Sequence, residues 1–376
     1  MKIAIVLYPT YGGSGVVATE LGMRLANKGH EIHFITYKQP VRLDLLNENI
    51  HFHEVHVPDY PLFQYLPYGL ALASKMVDVT KLYDIELFHV HYAIPHAYAA
   101  FNAKMMLKEE GVNIPIITTL HGTDITLVGS HPNYKPAVTF SINQSDYVTA
   151  VSQNLKESTL KIFNIKKDIQ VIPNFIDINH DRSDFTECNR NILAKENERI
   201  ITHISNFRAL KRVDDVVMIF NKILNKIPAK LILAGDGPEK ETIENLVVSL
   251  GIEESVIFLG NTNEVNKLLC FSDLFILPSE KESFGLAALE AMLYKTPVIS
   301  SNAGGIPEVN KHNYSGFLSE IGAIDDMVKN ALLILKDDKT LELFKEQARK
   351  QAEKFDVTNV VPIYEALYLK ALEENN

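Results

Sequence analysis

Apolar residues in the first half of the chain fall into short runs at residues 3–7, 32–36, 52–57, 87–91, 114–119 and 147–151. Between most of them apolar positions recur at helical spacing, notably over 16–27, 70–82, 96–109 and 153–163. Short continuous runs mark strands buried on both faces, and the 3.6-residue period marks helices packed against them. Their alternation predicts a parallel sheet wound on both sides by helices. The pattern stops at Pro173-Asn174-Phe175-Ile176-Asp177, and the polar, acidic stretch from Asp184 to Glu198 has no apolar period. That interruption reads as a crossing between domains.

The alternation then restarts, with strand-like runs at 200–205, 230–234, 256–259, 274–277 and 298–300. Helical patterns cover 213–224, 239–250, 264–270 and a segment beginning at Phe284, followed by 324–335, 340–355 and 360–372. The expected architecture is therefore α/β: two Rossmann-like domains, residues 1–170 and 171–355, with parallel sheets facing a central cleft, and a terminal helical segment over 356–376. Ligands of such sheets bind beyond the carboxyl ends of the strands.

Composition narrows the partners. The chain has 376 residues, 46% hydrophobic and 22% charged, with a formal net charge of -10. That balance is globular and argues against nucleic acid or a stable association with an anionic membrane. Cations that hold an anionic substrate must then be local and few. The two cysteines, Cys188 and Cys270, are too few for a disulfide framework and lack zinc spacing. They fit a cytoplasmic location. The apolar run at 3–7 is followed at once by Tyr8-Pro9 and glycines, so it is expected to be a first strand rather than a leader, and no run reaches membrane-spanning length.

Candidate chemistry gathers at strand ends. Glu282-Ser283-Phe284-Gly285-Leu286 leads from the run 274–277 into an almost wholly apolar helix that carries Glu290. A helix N-terminus presents unpaired N–H groups to a phosphate. A ribose diol further along the axis would meet Glu290, since a carboxylate accepts from both hydroxyls. Gly12-Gly13-Ser14-Gly15-Val16-Val17-Ala18 follows the first strand and contains G-x-G-x-x-A, yet the second strand ends without the carboxylate a dinucleotide site needs. Its glycines still suggest close approach of a ligand. His89 and His91 share a strand face and, with no completing ligand nearby in sequence, read as core histidines rather than a metal site. His121, between a strand and Gly122, is expected to overhang the ligand site. Arg208 and Lys211 form a basic pair just before a helix, suited to a diphosphate. The turns Gly235-Asp236-Gly237-Pro238 and Gly304-Gly305-Ile306-Pro307 read as plain connections.

The glycine loop, His121-Gly122-Thr123-Asp124, Asn206-Phe207-Arg208 with Lys211-Arg212, Gly235-Asp236-Gly237-Pro238 and the paired glutamates together resemble retaining glycosyltransferases of family four, which have the GT-B fold. The stretches Tyr8 to Gly15, His89 to His96 and Thr119 to Thr126 are most similar to members that transfer N-acetylglucosamine from UDP-N-acetylglucosamine to the hydroxyl of L-malate, the first step of bacillithiol biosynthesis. The resemblance implies retention at the anomeric carbon, no cofactor and no metal. It implies donor binding by Gly13, Arg208, Lys211, Glu282, the main chain of Ser283, Phe284, Gly285 and Leu286, and Glu290. The catalytic groups would be His121, Arg208, Lys211 and Glu282. The acceptor would meet Ser14, Tyr92, Thr119 and Asn154. The last helix would cross back to the first domain. A family-four transferase with another acceptor, and a nucleotide-sugar sensor without catalysis, stay open at this point, as does assembly into a homo-oligomer.

Overall fold

A computed structural model describes residues 1–10, 13–59, 61, 64–179, 190–262 and 264–375. The chain divides into two compact units, Met1–Asn174 with Thr358–Asn376, and Phe175–Val357.

The first unit opens with β1 (Lys2–Val6), α1 (Gly13–Asn27), β2 (Glu31–Thr36), β3 (Ile50–Glu54) and α2 (Tyr68–Tyr83). It continues with β4 (Leu87–His91), α3 (Tyr98–Glu109), β5 (Ile116–Leu120), α4 (Lys135–Gln144), β6 (Tyr147–Ala150), α5 (Gln153–Ile162) and β7 (Ile169–Val171). The strands pair in the order β3-β2-β1-β4-β5-β6-β7, every neighbour parallel. β4 and β5 are buried along their whole length, the polar side chains of His89, His91, Thr118 and Thr119 included. Phe88 and Val90 of β4 pack with Met76 of α2 and Ala100 and Ala103 of α3.

The second unit holds β8 (Arg199–Ile204), α6 (Val213–Leu224), β9 (Ala229–Ala234), α7 (Lys240–Ser249), β10 (Val256–Gly260), α8 (Val265–Phe271) and β11 (Leu274–Leu277). It ends with α9 (Leu286–Leu293), β12 (Val298–Ser301), α10 (Ile306–Val309), β13 (Gly316–Ser319), α11 (Ile324–Leu335) and α12 (Asp338–Ala352). Its parallel order is β10-β9-β8-β11-β12-β13. The core joins Phe220 and Ile223 of α6 to Leu231 and Leu233 of β9 and to Met327 and Ile334 of α11. The entry and exit of this unit are clipped together: Ile176 N donates to Phe355 O at 3.0 Å, and Val357 N to Ile176 O at 2.7 Å.

The chain closes with α13 (Val357–Asn375), and the residues from Thr358 on belong to the first unit. Tyr368 of α13 is fully buried there, its Oη 2.7 Å from His89 Nδ1. Glu365 pairs with Lys28 and His30 at the end of α1.

Three readings need correction. The helix carrying Glu290 begins at Leu286, because Gly285 sits at φ +100, outside helical space. Strand β3 starts two residues earlier than its apolar pattern suggests, at Ile50. Cys270 is not a free thiol but part of a disulfide. Cys188, Tyr11, Gly12 and residues 180–189 of the expected crossing lie outside the described residues.

Candidate active site

Each sheet has one place where consecutive strands depart in opposite directions, and there the loops leave a crevice beyond the carboxyl ends. In the first unit it lies between β1 and β4, in the second between β8 and β11. The expected site residues concentrate at these two places.

In the first unit Ser14, in the first turn of α1, meets Tyr92, just past β4: Ser14 Oγ and Tyr92 Oη are 2.5 Å apart. Tyr92 holds φ +85, a conformation that costs a residue with a side chain roughly 1–3 kcal/mol. Burial pushes its phenol up to about 12, so it stays protonated and a donor. Gly13 is exposed at the start of α1. Gly15 is not open to a ligand: a Cβ there would lie 2.6 Å from Tyr8 O and 2.7 Å from Thr10 O, so its smallness lets α1 pack on the preceding loop.

His121 follows β5 and is almost buried, its Nε2 2.8 Å from His91 Nδ1. Burial, with a smaller contribution from His96, pushes the His121 imidazole down to about 3, so it is neutral at physiological pH. His96 Nδ1 donates to His91 O at 2.5 Å, which leaves its lone pair on Nε2. Among the described residues His91 Nε2 and His96 Nε2 are buried without a hydrogen-bond partner. Asp124 ties these loops together. Its carboxylate accepts from Ala93 N at 2.8 Å, Gly122 N at 2.9 Å and His121 N at 3.3 Å. Burial raises its pKa to about 6 despite those bonds. The motif around His121 displays Asp124 in plain sequence, yet the bracing role depends on the β4 loop, which sequence does not bring near.

Thr119 does not reach the crevice. It is 1% exposed, and its Oγ1 already contacts His89 Nε2 at 2.8 Å and Thr149 Oγ1 at 2.7 Å. It braces His89, which also meets Tyr368, from behind the site; His89 is a satisfied core histidine. Asn154 stands exposed in the first turn of α5, beyond β6.

In the second unit Lys211 and Glu282 meet, Nζ 2.6 Å from Oε2, both side chains less than one-fifth exposed. Lys211 closes the loop after β8 and Glu282 lies in the loop after β11. Arg208 is exposed on the same loop as Lys211, with no ion-pair partner among the described residues. His203, at the end of β8, contacts Ile276 O at 2.8 Å and Ser205 Oγ at 2.7 Å, and burial lowers it to about 4. Ser283 is half-buried, whereas the Phe284 side chain is buried with its ring 5.6 Å from that of Phe355. Leu286, Ala287 and Glu290 form the half-open face of α9, and the residues between them are buried.

Two turns that read as plain connections support these loops. A Cβ on Gly304 would lie 1.9 Å from Glu282 O, and one on Gly305 2.3 Å from Ser283 O. Gly305 N also donates to Glu282 O at 2.9 Å. Gly235 and Gly237 stand in the same relation to Ser205 O and Phe207 O, at 1.8 and 2.6 Å. Only glycine allows the turns after β9 and β12 to back the loops that carry Arg208, Lys211 and Glu282.

Two doubly wound parallel sheets, each with polar groups collected at its switch point, are the make-up of the GT-B fold. Solved structures agree: the Anabaena protein HepE in complex with UDP and glucose superposes with a TM-score of 0.80 at 21% identity, covering 98% of this chain and 99% of that one. Sucrose-phosphate synthase from Thermosynechococcus elongatus gives 0.80 at 19% identity, covering 99% of each. Residues 11–180 match the model of Glycosyltransferase Family 4, and 184–351 that of Glycosyl transferases group 1. The N-acetyl-alpha-D-glucosaminyl L-malate synthase of Bacillus anthracis is 48% identical over 100% of this chain and 98% of its own length. An uncharacterized glycosyltransferase of Methanocaldococcus jannaschii is 29% identical over 99% of both. The chain belongs to the family-four glycosyltransferases. Among the described residues no helix is long and apolar enough to cross a membrane.

Proposed function

We propose that this glycosyltransferase moves N-acetylglucosamine from UDP-N-acetylglucosamine to the hydroxyl of L-malate, with retention at the anomeric carbon, without a metal, in the cytoplasm, as the first step of bacillithiol biosynthesis. The observation that carries this reading is the full-length likeness to the Bacillus anthracis enzyme named for that product. The arrangement of each crevice supports it.

Arg208 and Lys211 hold the diphosphate and stabilise it as it leaves, the main chain of 283–286 adds N–H donors, and Glu290 accepts from the ribose diol. Donor arrival draws Lys211 towards phosphate and frees Glu282 for the sugar hydroxyls. Ser14 and Tyr92 are neutral donors for the malate carboxylates, joined by Asn154 and the open backbone at Gly13. Neutral His121, braced through Asp124, stands by the transferred sugar. The acceptor hydroxyl attacks from the face the phosphate leaves, and the departing phosphate takes its proton, so positioning and charge stabilisation supply most of the rate.

The test is UDP release from UDP-N-acetylglucosamine with L-malate, D-malate, succinate, inositol phosphate or N-acetylglucosamine as acceptor, each with and without EDTA. The proposal expects release with L-malate alone, undiminished by the chelator. Fast transfer to inositol phosphate or a sugar with L-malate inert overturns the acceptor, and loss with EDTA restored by magnesium overturns metal independence.

A further inference from the structure

Outside the candidate active site, the first sheet carries a second cluster of ligating side chains on β2 and β3. Glu31 Oε1 lies 3.1 Å from His33 Nε2 and 3.4 Å from His51 Nε2. All three ligand atoms lie within 4.8 Å of one another. The parallel register sets His33 directly beside His51, and Glu31 is two residues from His33 on the same face. We propose that Glu31, His33 and His51 form a binding site for a divalent transition metal of the zinc class, completed by water.

The donor set suits such an ion: two imidazoles and a carboxylate are borderline ligands, and the three-protein-ligand shell with one open position is common for zinc. A tetrahedral ion about 2.0–2.1 Å from each ligand sets its ligand atoms about 3.3 Å apart. The two distances from Glu31 already match that edge. The remaining one, between the two imidazole nitrogens, closes if His51 turns. The rings of His33 and His51 are stacked at 4.5 Å and 25°, and an ion in the plane of both requires them to splay. His51 is free to do so, its side chain being 34% exposed, whereas His33 is wholly buried and acts as the fixed ligand.

A supporting group is in place. His33 Nδ1 is 2.9 Å from His53 Nε2. With the ion on Nε2, the proton of neutral His33 stands on Nδ1 and is donated to His53, the orienting bond that metal-bound histidines generally make. Tyr83 packs its ring against all three histidines. Lys2, with Nζ 3.9 Å from Glu31 Oε2 and bonded to Tyr83 O at 2.9 Å, is the competing cation and faces the other carboxylate oxygen.

Position separates this site from sugar transfer. Glu31 opens β2 and His51 is the second residue of β3, so the ion binds at the amino end of the sheet, near the β3 edge. Ser14, Tyr92 and His121 lie beyond the carboxyl ends. The ion would staple the edge strand to its neighbour without entering the reaction.

The experiment uses the untagged full chain, stripped of metal and titrated with Co²⁺, whose visible absorption reports a low-coordinate nitrogen and oxygen shell. One saturable equivalent, displaced by Zn²⁺, is expected. His51→Ala, a half-exposed position, should abolish the band while leaving UDP release unchanged. Glu31→Gln should weaken it, and His53→Ala should weaken Co²⁺ binding about 10–100-fold through the lost orienting bond. Circular dichroism confirms that each variant is folded. Absence of a saturable band in the parent chain, or a band undiminished in both His51→Ala and Glu31→Gln, overturns the site.

Discussion

Lys211 and Glu282, which leave the second sheet from β8 and β11, close an ion pair of 2.6 Å across its switch point. Ser14 and Tyr92 do the same with hydroxyls across the switch point of the first sheet, between β1 and β4. In the second unit the pairing keeps a cation and a carboxylate, both partly buried, from standing uncompensated. On the proposed reading, an incoming diphosphate would compete with Glu282 for Lys211, whereas Arg208 is exposed and has no ion-pair partner among the described residues.

Arg208→Ala and Lys211→Ala should each lower kcat about 10²-fold or more, with a smaller rise in the donor KM, because charge on the leaving diphosphate grows towards the transition state. Steady-state kinetics with varied UDP-sugar decides this. A rise in KM with kcat intact would mark both as groups for ground-state binding only.

Glu290→Ala should weaken UDP binding by about 1.5–3 kcal/mol, the usual cost of losing a charged hydrogen-bond acceptor. Glu290 shares the half-open face of α9 with Leu286 and Ala287, so the substitution leaves no cavity in the core. Calorimetric titration with UDP is the measurement, and an unchanged affinity would remove the ribose from Glu290.

Gly304→Ala should impair donor binding without touching any ligand. Its Cβ would fall 1.9 Å from Glu282 O, so the loop bearing Glu282 has to move. Gly251→Ala is the matched control. That glycine also holds positive φ, at +67, but a Cβ there has nothing within 4 Å, so the cost is backbone strain alone, about 1–2 kcal/mol. Equal UDP affinities for the two variants would mean that the turn does not support the site.

Acid should destabilise the fold from about pH 6.5 downward, the ordinary imidazole pKa. Burial lowers His89 and His121 to about 3, and His96 and His203 to about 4. Below pH 6.5 the unfolded chain takes up protons that the folded chain refuses. The stabilisation is therefore complete above that pH and lost as pH falls towards the folded values, at about 1.4 kcal/mol per pH unit for each histidine. Asp124, raised to about 6 by burial, acts with the opposite sign below that pH and offsets one of the four. The thermal midpoint should be lower at pH 5.5 than at pH 7.5 at equal ionic strength. A midpoint that holds or rises on acidification would show that these histidines are not kept neutral.

Elements with a strong single period were legible from sequence. The runs over β4, α6 and α11 match their elements end to end: β4 is buried at every position, and α6 and α11 each along a face that the sequence displays. β7 is only Ile169-Gln170-Val171 with Gln170 exposed, and β13 opens with Gly316, pressed against Val298 O, and ends on Ser319, so neither offers an apolar run like that of β11. α4 hides because only Val138, Ser141 and Ile142 of its ten residues are buried. At the site, Arg208, Lys211, Glu282 and His121 announced themselves by residue type and by their place after strands. Their partners did not, because Gly304 behind Glu282 and Asp124 beneath Ala93 are neighbours only through the order of strands. The same holds for His33 and His51, which sit side by side through a parallel register that begins before the apolar run of β3.

The return of α13 to the first unit has a consequence for biosynthesis. The second unit is one unbroken stretch of sequence, whereas the first is complete only when the buried Tyr368 has been added. On a ribosome, the unit that starts first finishes last. Until then His89 Nδ1 lacks the phenol it meets in the finished chain, and Lys28 and His30 lack Glu365. A chain released a few turns early would thus carry a full second unit beside an unsealed first one, and the defect would fall on the half that holds Ser14, Tyr92 and His121.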